Sequence, residues 1–455
     1  MENLNTNDRT LEIGQTTPKQ STQPFGFNVI GYVSGNLGVG VTARNVINVL
    51  LEKGLRIAIY DIDPGLGRGK HDLSFDEYTV ESVEELPYAI NLFILPPATL
   101  SLVLLDYSPL VLRRDCLNVA FTMWELTVLP NTWKQALQFF DVLVAESDFI
   151  RYAFEFNLSK VLTVSACHPI YLPNNIRHSR ESFGLPENKV IFVTSFEPHS
   201  DPQRKNPFAV IEAFQRALDD DSSAHLVIKM NNTLVDGKEH PIVQALRECC
   251  SDHSRIQLIA ETLSYPEVLS LYASCDVFVS LHRSEGLGLG LMEAMALGKP
   301  VIATAWSGNM SYMDHTNSCL VGYQLISVEE SIEAYKKELV GVNAVWANPD
   351  IEDAAAWMKK LANAPQLRAS IGRKAAEDMV RFQEQAEGGH FIEELQTIWE
   401  HQAFLPRHSE RRYHDLQKLR KAKHEHDLSQ LSHTKRMEWK LRRFLDRYIF
   451  WRFCT

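Results

Sequence analysis

No stretch of this 455-residue sequence is apolar for long enough to span a bilayer, and the polar N-terminus has none of the regions of a secretory signal. Cysteine is sparse: seven residues, with Cys249–Cys250 the only close pair and no CxxC spacing. This argues against a disulfide framework or a zinc site and points to a reducing, cytoplasmic setting. An excess of positive charge is also missing from most of the chain. Residues 404–455 hold 14 Lys+Arg against 6 Asp+Glu, a balance of +8, which leaves the remainder at −19 against the total of −11. An acidic body of this kind is a poor partner for nucleic acid.

What is present is ordinary for a soluble protein with full cores: 45% hydrophobic and 23% charged residues, in a length that suits two or three domains. Residues 1–24 are polar, rich in Thr, Gln and Asn, and without periodicity, which predicts a disordered leader. From Phe25 the pattern changes. "FGFNVIGYVS" reads as a buried strand, "TARNVINVLLEKG" as a helix stopped at Gly54, and "LRIAIYDID" as the next strand. This is a βαβ unit, so a parallel sheet begins here. "NLFILPP", "LNVAFTMWE" and "DVLVAESDFI" extend it. A second alternating series starts at "KVIFVTSFEP" and runs to "PVIAT", followed by helical sequence from about 350 to 403. The expected organisation is a leader (1–24), a first Rossmann-like domain (25–174), a second with closing helices (175–402), and a basic helical tail (403–455). Two doubly wound parallel sheets of this class hold ligands at the carboxyl ends of their strands, and two such domains create a cleft.

Three constellations fall at those strand ends. The richest is "SEGLGLGLMEAMALGKPVIAT", Ser284–Thr304. Glu285 follows a buried strand, and Gly286, Gly288 and Gly290 lead into a helix whose first amides suit a diphosphate. Glu293 lies on the first turns of that helix, where a carboxylate accepts hydrogen bonds from paired ribose hydroxyls. A single Glu in such a place is more often an exposed helical residue; two acids and three glycines together favour a site. The second is "SFEPHSDPQRKNPFAVIEAF". Ser195 and Glu197 leave a strand, and Arg204 and Lys205 precede a helix that starts at Pro207. Cations at a helix start sit badly with its dipole unless an anion binds there. The third is "SGNLGVGVTA", Ser34–Ala43, where Gly35 and Gly40 have P-loop spacing but Val41 replaces the lysine. The alternative for each glycine is a tight strand-to-helix turn.

Together with "FTMWELTVLPNTW", these strings resemble the retaining glycosyltransferases of family 4, which have the GT-B fold; the resemblance runs from about Phe25 to Gln402. It implies a nucleotide-sugar donor in the second domain, a glycan, lipid-linked or other hydroxyl acceptor mainly on the first, and no cofactor or metal for the chemistry. Glu285 would contact donor-sugar hydroxyls and Glu293 the ribose. Arg204 and Lys205 would hold the diphosphate with help from the amides of Leu287 to Leu289, and Ser195 would line the donor site. Gly38 and Gly40 would let the first glycine loop approach the diphosphate, so the missing lysine counts against a nucleotidase and not against a transferase. Many relatives carry a histidine near "MWEL", and this sequence has none there. Glu125 is the candidate polar partner of the reacting sugar, and Trp124 is either a stacking face or core.

Two other functions fit parts of the sequence. An oxidoreductase would use Asp61 on a cofactor ribose, but "GNLGVG" has GxxGxG rather than GxGxxG spacing. A non-catalytic sugar-nucleotide-binding protein would keep the fold without turnover. The tail run "KRMEWKLRRFLDRYIFWRF" interleaves cations with aromatic and aliphatic residues, as an interfacial helix on an anionic membrane does. The competing reading is a surface helix packed on the acidic body.

Overall fold

The computed structural model describes residues 23–62, 72–106, 113, 115–218, 223–231, 233–235, 237–328, 339, 343–401, 414–422 and 425. Nearly all of the leader, and the aromatic–basic run of the tail, lie outside the described residues.

In the first lobe, β1 (Phe27–Gly31), α1 (Gly38–Glu52), β2 (Ile57–Asp61), β3 (Ile90–Ile94), α2 (Pro97–Asp106), β4 (Leu117–Phe121), α3 (Asn131–Leu137), β5 (Val142–Ala145), α4 (Asp148–Asn157) and β6 (Leu162–Ser165) follow one another. The strands form one parallel sheet of order β2-β1-β3-β4-β5-β6. Every residue of β1, β3, β4 and β5 is buried. Both sheet faces are covered, so these strands read as continuous apolar runs rather than alternating ones. β6 is the exception: it lies at the sheet edge with both end residues exposed, and its short Leu-Thr-Val-Ser run gives no such signal.

The second lobe comprises β7 (Val190–Phe196), the short α5 (Pro202–Lys205), α6 (Pro207–Leu218), β8 (Ala224–Met230), a small hairpin of β9 (Leu234–Val235) and β10 (Lys238–Glu239), α7 (Pro241–Cys250), β11 (Ile256–Ile259), α8 (Tyr265–Ser274), β12 (Val277–Ser280), α9 (Leu289–Ala296), β13 (Val301–Thr304) and β14 (Cys319–Val321). Its parallel sheet has the order β11-β8-β7-β12-β13-β14. Numbered within the lobe this is 3-2-1-4-5-6, the doubly wound order whose switch point lies between its first and fourth strands, β7 and β12. The Arg204–Lys205 segment follows β7 and the Glu285 loop follows β12, so topology alone brings the two strongest constellations side by side.

Two elements tie the lobes together. The antiparallel hairpin of β15 (Tyr323–Ser327) and β16 (Val345–Pro349) leaves the second lobe, and its Ile326 and Trp346 join the hydrophobic cluster of the first. After α10 (Ile351–Asn363) and α11 (Pro365–Gly388), Gly389 turns the chain with a left-handed φ of 65°, and α12 (His390–Glu400) returns to lobe one. There Phe391, Ile392 and Leu395 enter the core around β1 and β4. The ring of Phe391 meets that of Phe121 edge-on at 5.9 Å. Helical residues 414–422 also pack on lobe one: Leu416 is buried in its cluster, and Arg420 Nε donates to the Leu104 carbonyl at 2.7 Å. This part of the tail lies against the body. Among the described residues no helix is long and apolar enough to cross a membrane.

Helix α11 reaches the second lobe through a close backbone approach. A Cβ on Gly372 would lie 2.1 Å from the Gly298 carbonyl oxygen, whereas one on Gly388 of the same helix would meet nothing within 4 Å. Gly372→Ala is expected to destabilise the protein by about 1–3 kcal/mol through overpacking. Gly388→Ala should leave stability unchanged or raise it by about 0.5–1 kcal/mol through helix propensity. Denaturant midpoints of the two variants check this pair.

Candidate active site

The site begins with a strained loop. After β7 the chain turns at Asp201, whose φ of 55° is unusual for a residue with a side chain. Its Oδ1 caps α5, accepting from the amides of Gln203 at 2.8 Å and Arg204 at 3.2 Å. Asn206 ends α5 with another φ of 55°, and its side chain donates to the Leu281 carbonyl at 3.0 Å. The four-residue helix is thus fixed at both ends, and it carries Arg204 and Lys205.

Glu285 faces this helix from the loop after β12. Its carboxylate sits 3.0 Å from Arg204 Nη1 and 2.5 Å from Lys205 Nζ. Arg204, 1% exposed, also donates to the carbonyls of Ser284 (2.8 Å) and Ser200 (3.1 Å) and to the Ser200 hydroxyl (2.8 Å), and lies 3.4 Å from Glu125 Oε1 of lobe one. Burial alone would raise the Glu285 carboxyl, but Lys205 and Arg204 outweigh it and bring it down to about 2. Burial lowers the Lys205 ammonium, with Glu285 pulling the other way. The members of the cluster depend on one another. Removing one partner of such a buried pair leaves an uncompensated charge, a cost of about 3–5 kcal/mol.

The loop bearing Glu285 is held from several sides. Its amide donates to Ser307 Oγ at 2.8 Å, and Ser307 adopts a φ of 81° to reach it. Lobe one grips the same loop: Ser147 Oγ donates to the Gly286 carbonyl at 2.6 Å, and Ser284 Oγ donates to the Glu125 carbonyl. Gly288 then starts α9 with a φ of 89°, where an added Cβ would lie 2.7 Å from the Leu291 side chain. The amides of Leu291 and Met292 donate to the Gly288 carbonyl at 2.9 and 3.2 Å, and the start of α9 at Leu289 and Gly290 lines the cleft.

The cleft itself is a cavity of about 670 Å³ lined by both lobes. Of the residues singled out in the sequence, it gathers Glu285, Arg204, Lys205, Glu125 and Ser195. The glycine-loop positions Gly286, Leu287, Gly288 and Leu289 line it as well, and so does Gly38, whose added Cβ would face Leu289 at 3.6 Å across the gap. Two candidates do not line it. An added Cβ on Gly40 would meet the Gly35 carbonyl oxygen at 2.3 Å, so its smallness serves the turn into α1 and not an approach to a ligand. Glu293 is buried on α9, and the groups acting on it are Tyr265 and His168. Burial pushes its carboxyl up to about 7, against the opposing Tyr265 hydroxyl and His168.

Other readings resolve locally. The Trp124 ring is 1% exposed, donates from Nε1 to the Val128 carbonyl at 3.0 Å and meets Trp133 edge-on at 4.7 Å, which makes it core. His282 is fully buried between Ser280, Asn309 and the Trp306 carbonyl. Asp61 accepts from the Ser34 amide (3.1 Å) and hydroxyl (2.5 Å), which commits it to the glycine loop. Sequence reasoning passed over Asp201 and Ser307. Asp201–Pro202 carries the helix-start signature of a capping Asp before proline, so it was findable; Ser307 falls within "AWSGN", Ala305–Asn309, which reads as a turn beside the donor pocket without singling out the serine. It also missed a buried cluster in which His168 bridges Glu146 and Asn45, because the three residues come from distant elements.

Comparison with known proteins bears on this geometry. Residues 175–378 match the family model for glycosyl transferases group 1. No curated protein sequence matches the chain. Among solved structures, HepE from Anabaena in complex with UDP and glucose superposes with a TM-score of 0.58 at 14% identity, over 82% of this chain and all of that one. Sucrose-phosphate synthase from Thermosynechococcus elongatus gives 0.59 at 15%, over 82% and 99%. OtsA gives 0.55 at 12%, over 81% and 99%. Residues 175–378, most of the second lobe and its closing helices, therefore match the glycosyl transferases group 1 model, and the chain as a whole shares the two-lobed fold of these solved structures.

Proposed function

We propose that this glycosyltransferase takes its sugar from a nucleoside diphosphate sugar held on lobe two, and passes it to a hydroxyl acceptor lying over lobe one. The observation that carries the reading is the convergence of Arg204, Lys205 and Glu285 beside the N-terminus of α9 in one two-lobed cavity. HepE, which shares the fold, was solved with UDP and glucose, so UDP-sugars are the first donors to test.

The residues divide the work as follows. The diphosphate lies against the amides from Gly286 to Leu289, with Arg204 and Lys205 beside it. The acceptor hydroxyl attacks C1 on the face that the diphosphate leaves. The new O–C1 bond forms as the C1–O bond to phosphate breaks with oxocarbenium character, and the hydroxyl proton passes to the departing phosphate oxygen. Negative charge grows on the diphosphate during this step, and preorganised cations and amides stabilise that growth more than they stabilise the ground state. Glu285 holds both cations in place and accepts from a donor-sugar hydroxyl. Ser195 lines the donor side and Glu125 orients the acceptor; Glu293, buried on α9 just behind the cleft-lining Leu289–Leu291 turn, accepts from a donor ribose that reaches past that turn.

Lys205→Ala is expected to lower kcat about 10²–10³-fold, the scale of losing one charge-stabilising donor, with a much smaller change in donor affinity. Initial rates at saturating donor, alongside thermal unfolding of the variant, check it. An unchanged kcat in a folded variant would remove Lys205 from the reaction.

Glu293 offers a second check. The ionised carboxylate is the form that accepts from two ribose hydroxyls, and its carboxyl titrates near 7. Nucleoside diphosphate affinity should therefore weaken as pH falls below 7, by up to about tenfold per unit, with a proton released on binding. Calorimetric titrations at pH 5.5 and 8 measure this, and Glu293→Gln should flatten the dependence while weakening binding at pH 8. A wild-type affinity that does not change with pH would place the ribose elsewhere.

A further inference from the structure

The charged groups lining the cleft are unevenly divided. Among the described residues, Arg204 and Lys205 are the only Lys or Arg side chains lining it, both come from lobe two, and both are paired with Glu285. The lining also holds the carboxylates of Glu125, Glu146, Glu197 and Asp201 in addition to Glu285, with Glu125 3.4 Å from Arg204 and Glu146 against His168, so carboxylates outnumber cations there. The lobe-one wall is otherwise apolar or hydroxyl-bearing: Pro96, Pro97 and Met123, with the Tyr32 hydroxyl 2.9 Å from Thr99 Oγ1.

Asp201 adds an independent observation. It is 4% exposed and lines the cavity; Oδ1 caps α5, while Oδ2 is buried and has no hydrogen-bond partner. A buried carboxylate oxygen without a donor is costly, and an O–H or N–H relieves it where an anion makes it worse. Once a diphosphate engages Arg204 and Lys205, this end of the cleft presents carboxylates, hydroxyls, the His199 ring and apolar surface, and among the described residues no further Lys or Arg, to whatever enters over lobe one. The net charge of −11 acts in the same direction at long range, repelling anions.

We propose that the acceptor group entering this cleft is an uncharged polyhydroxyl ring, its apolar face on the lobe-one wall and its hydroxyls donating to Glu125 and Asp201, and that a uronate, sulfate or phosphate on that ring is rejected. This rests on the transferase reading of the cleft.

The test uses the full chain with a donor shown by calorimetry to bind. Several hexoses are offered, each as a neutral aryl glycoside, as its uronic acid and as its 6-phosphate. The expected result at low salt is a kcat/KM at least tenfold higher for a neutral member than for its two anionic counterparts. That gap should narrow as salt is added, and should narrow again in Glu125→Gln. Transfer to an anionic ring at an equal or greater rate, or to no neutral member at all, overturns the proposal. The two readings fail separately: if no nucleotide sugar binds, the transferase reading falls as well, whereas a bound donor with preferred anionic acceptors sinks only the acceptor class.

Discussion

The cleft is organised by one buried ion cluster. Arg204, Lys205 and Glu285 each lose hydration on folding; Glu285 compensates both cations, and Glu125 with the carbonyls and hydroxyl around Arg204 adds to its share. A cluster of this kind adds little net stability, since desolvation offsets much of the attraction. Its effect is geometric. None of the three charges can leave its place without stranding another, so α5 and the loop after β12 are locked at a fixed separation. The described residues with side chains and positive φ are Asp201, Asn206 and Ser307, and all three sit on this framework. Such conformations cost about 1–3 kcal/mol each and persist where the surroundings over-determine them. Here they aim two cations and one carboxylate at the same volume.

The position of lobe one depends on that framework too. Its contacts with lobe two concentrate on the Glu285 loop, through Ser147 to the Gly286 carbonyl and Ser284 to the Glu125 carbonyl, with the Asp148 amide on Ser311 Oγ at 3.1 Å nearby. At the other end of the cleft the glycine loop touches lobe two more lightly, by Gly38 facing Leu289 and Asn36 donating to the Leu263 carbonyl at 3.4 Å. The chain then crosses back twice, once in the β15–β16 hairpin and once in α12. The lobes are therefore joined by packing as well as by their linker, and the donor and acceptor walls of the cavity are set relative to each other at the ion cluster.

Much of the fold was legible. Strands buried on both faces appear as unbroken apolar runs, and glycine- or proline-punctuated helices between them leave few topologies open. The misses share a cause: β6 and β14 are short sheet-edge strands, and the β15–β16 hairpin is stabilised by packing on the other lobe. Their stability comes from neighbours distant in sequence, which no local window records. In the site, Glu285, Arg204, Lys205 and Glu125 were named from spacing and residue type and lie together. Gly40 and Glu293 were placed on the right elements, but neither lines the cleft.

The sequence by itself determined that two parallel α/β lobes form, and which loops stand at the ligand ends of their strands, because periodicity and strand–helix alternation are properties of the chain. Only the tertiary structure decided how the charges pair, that Asp201 keeps a buried oxygen without a partner, and that Trp124 is core while Ser307 holds the Glu285 amide. The physical reason is range. Helix and strand patterns are written over a few residues, whereas the protonation, pairing and burial of a side chain depend on groups about 80 residues apart or more, whose meeting is settled only when the cores close.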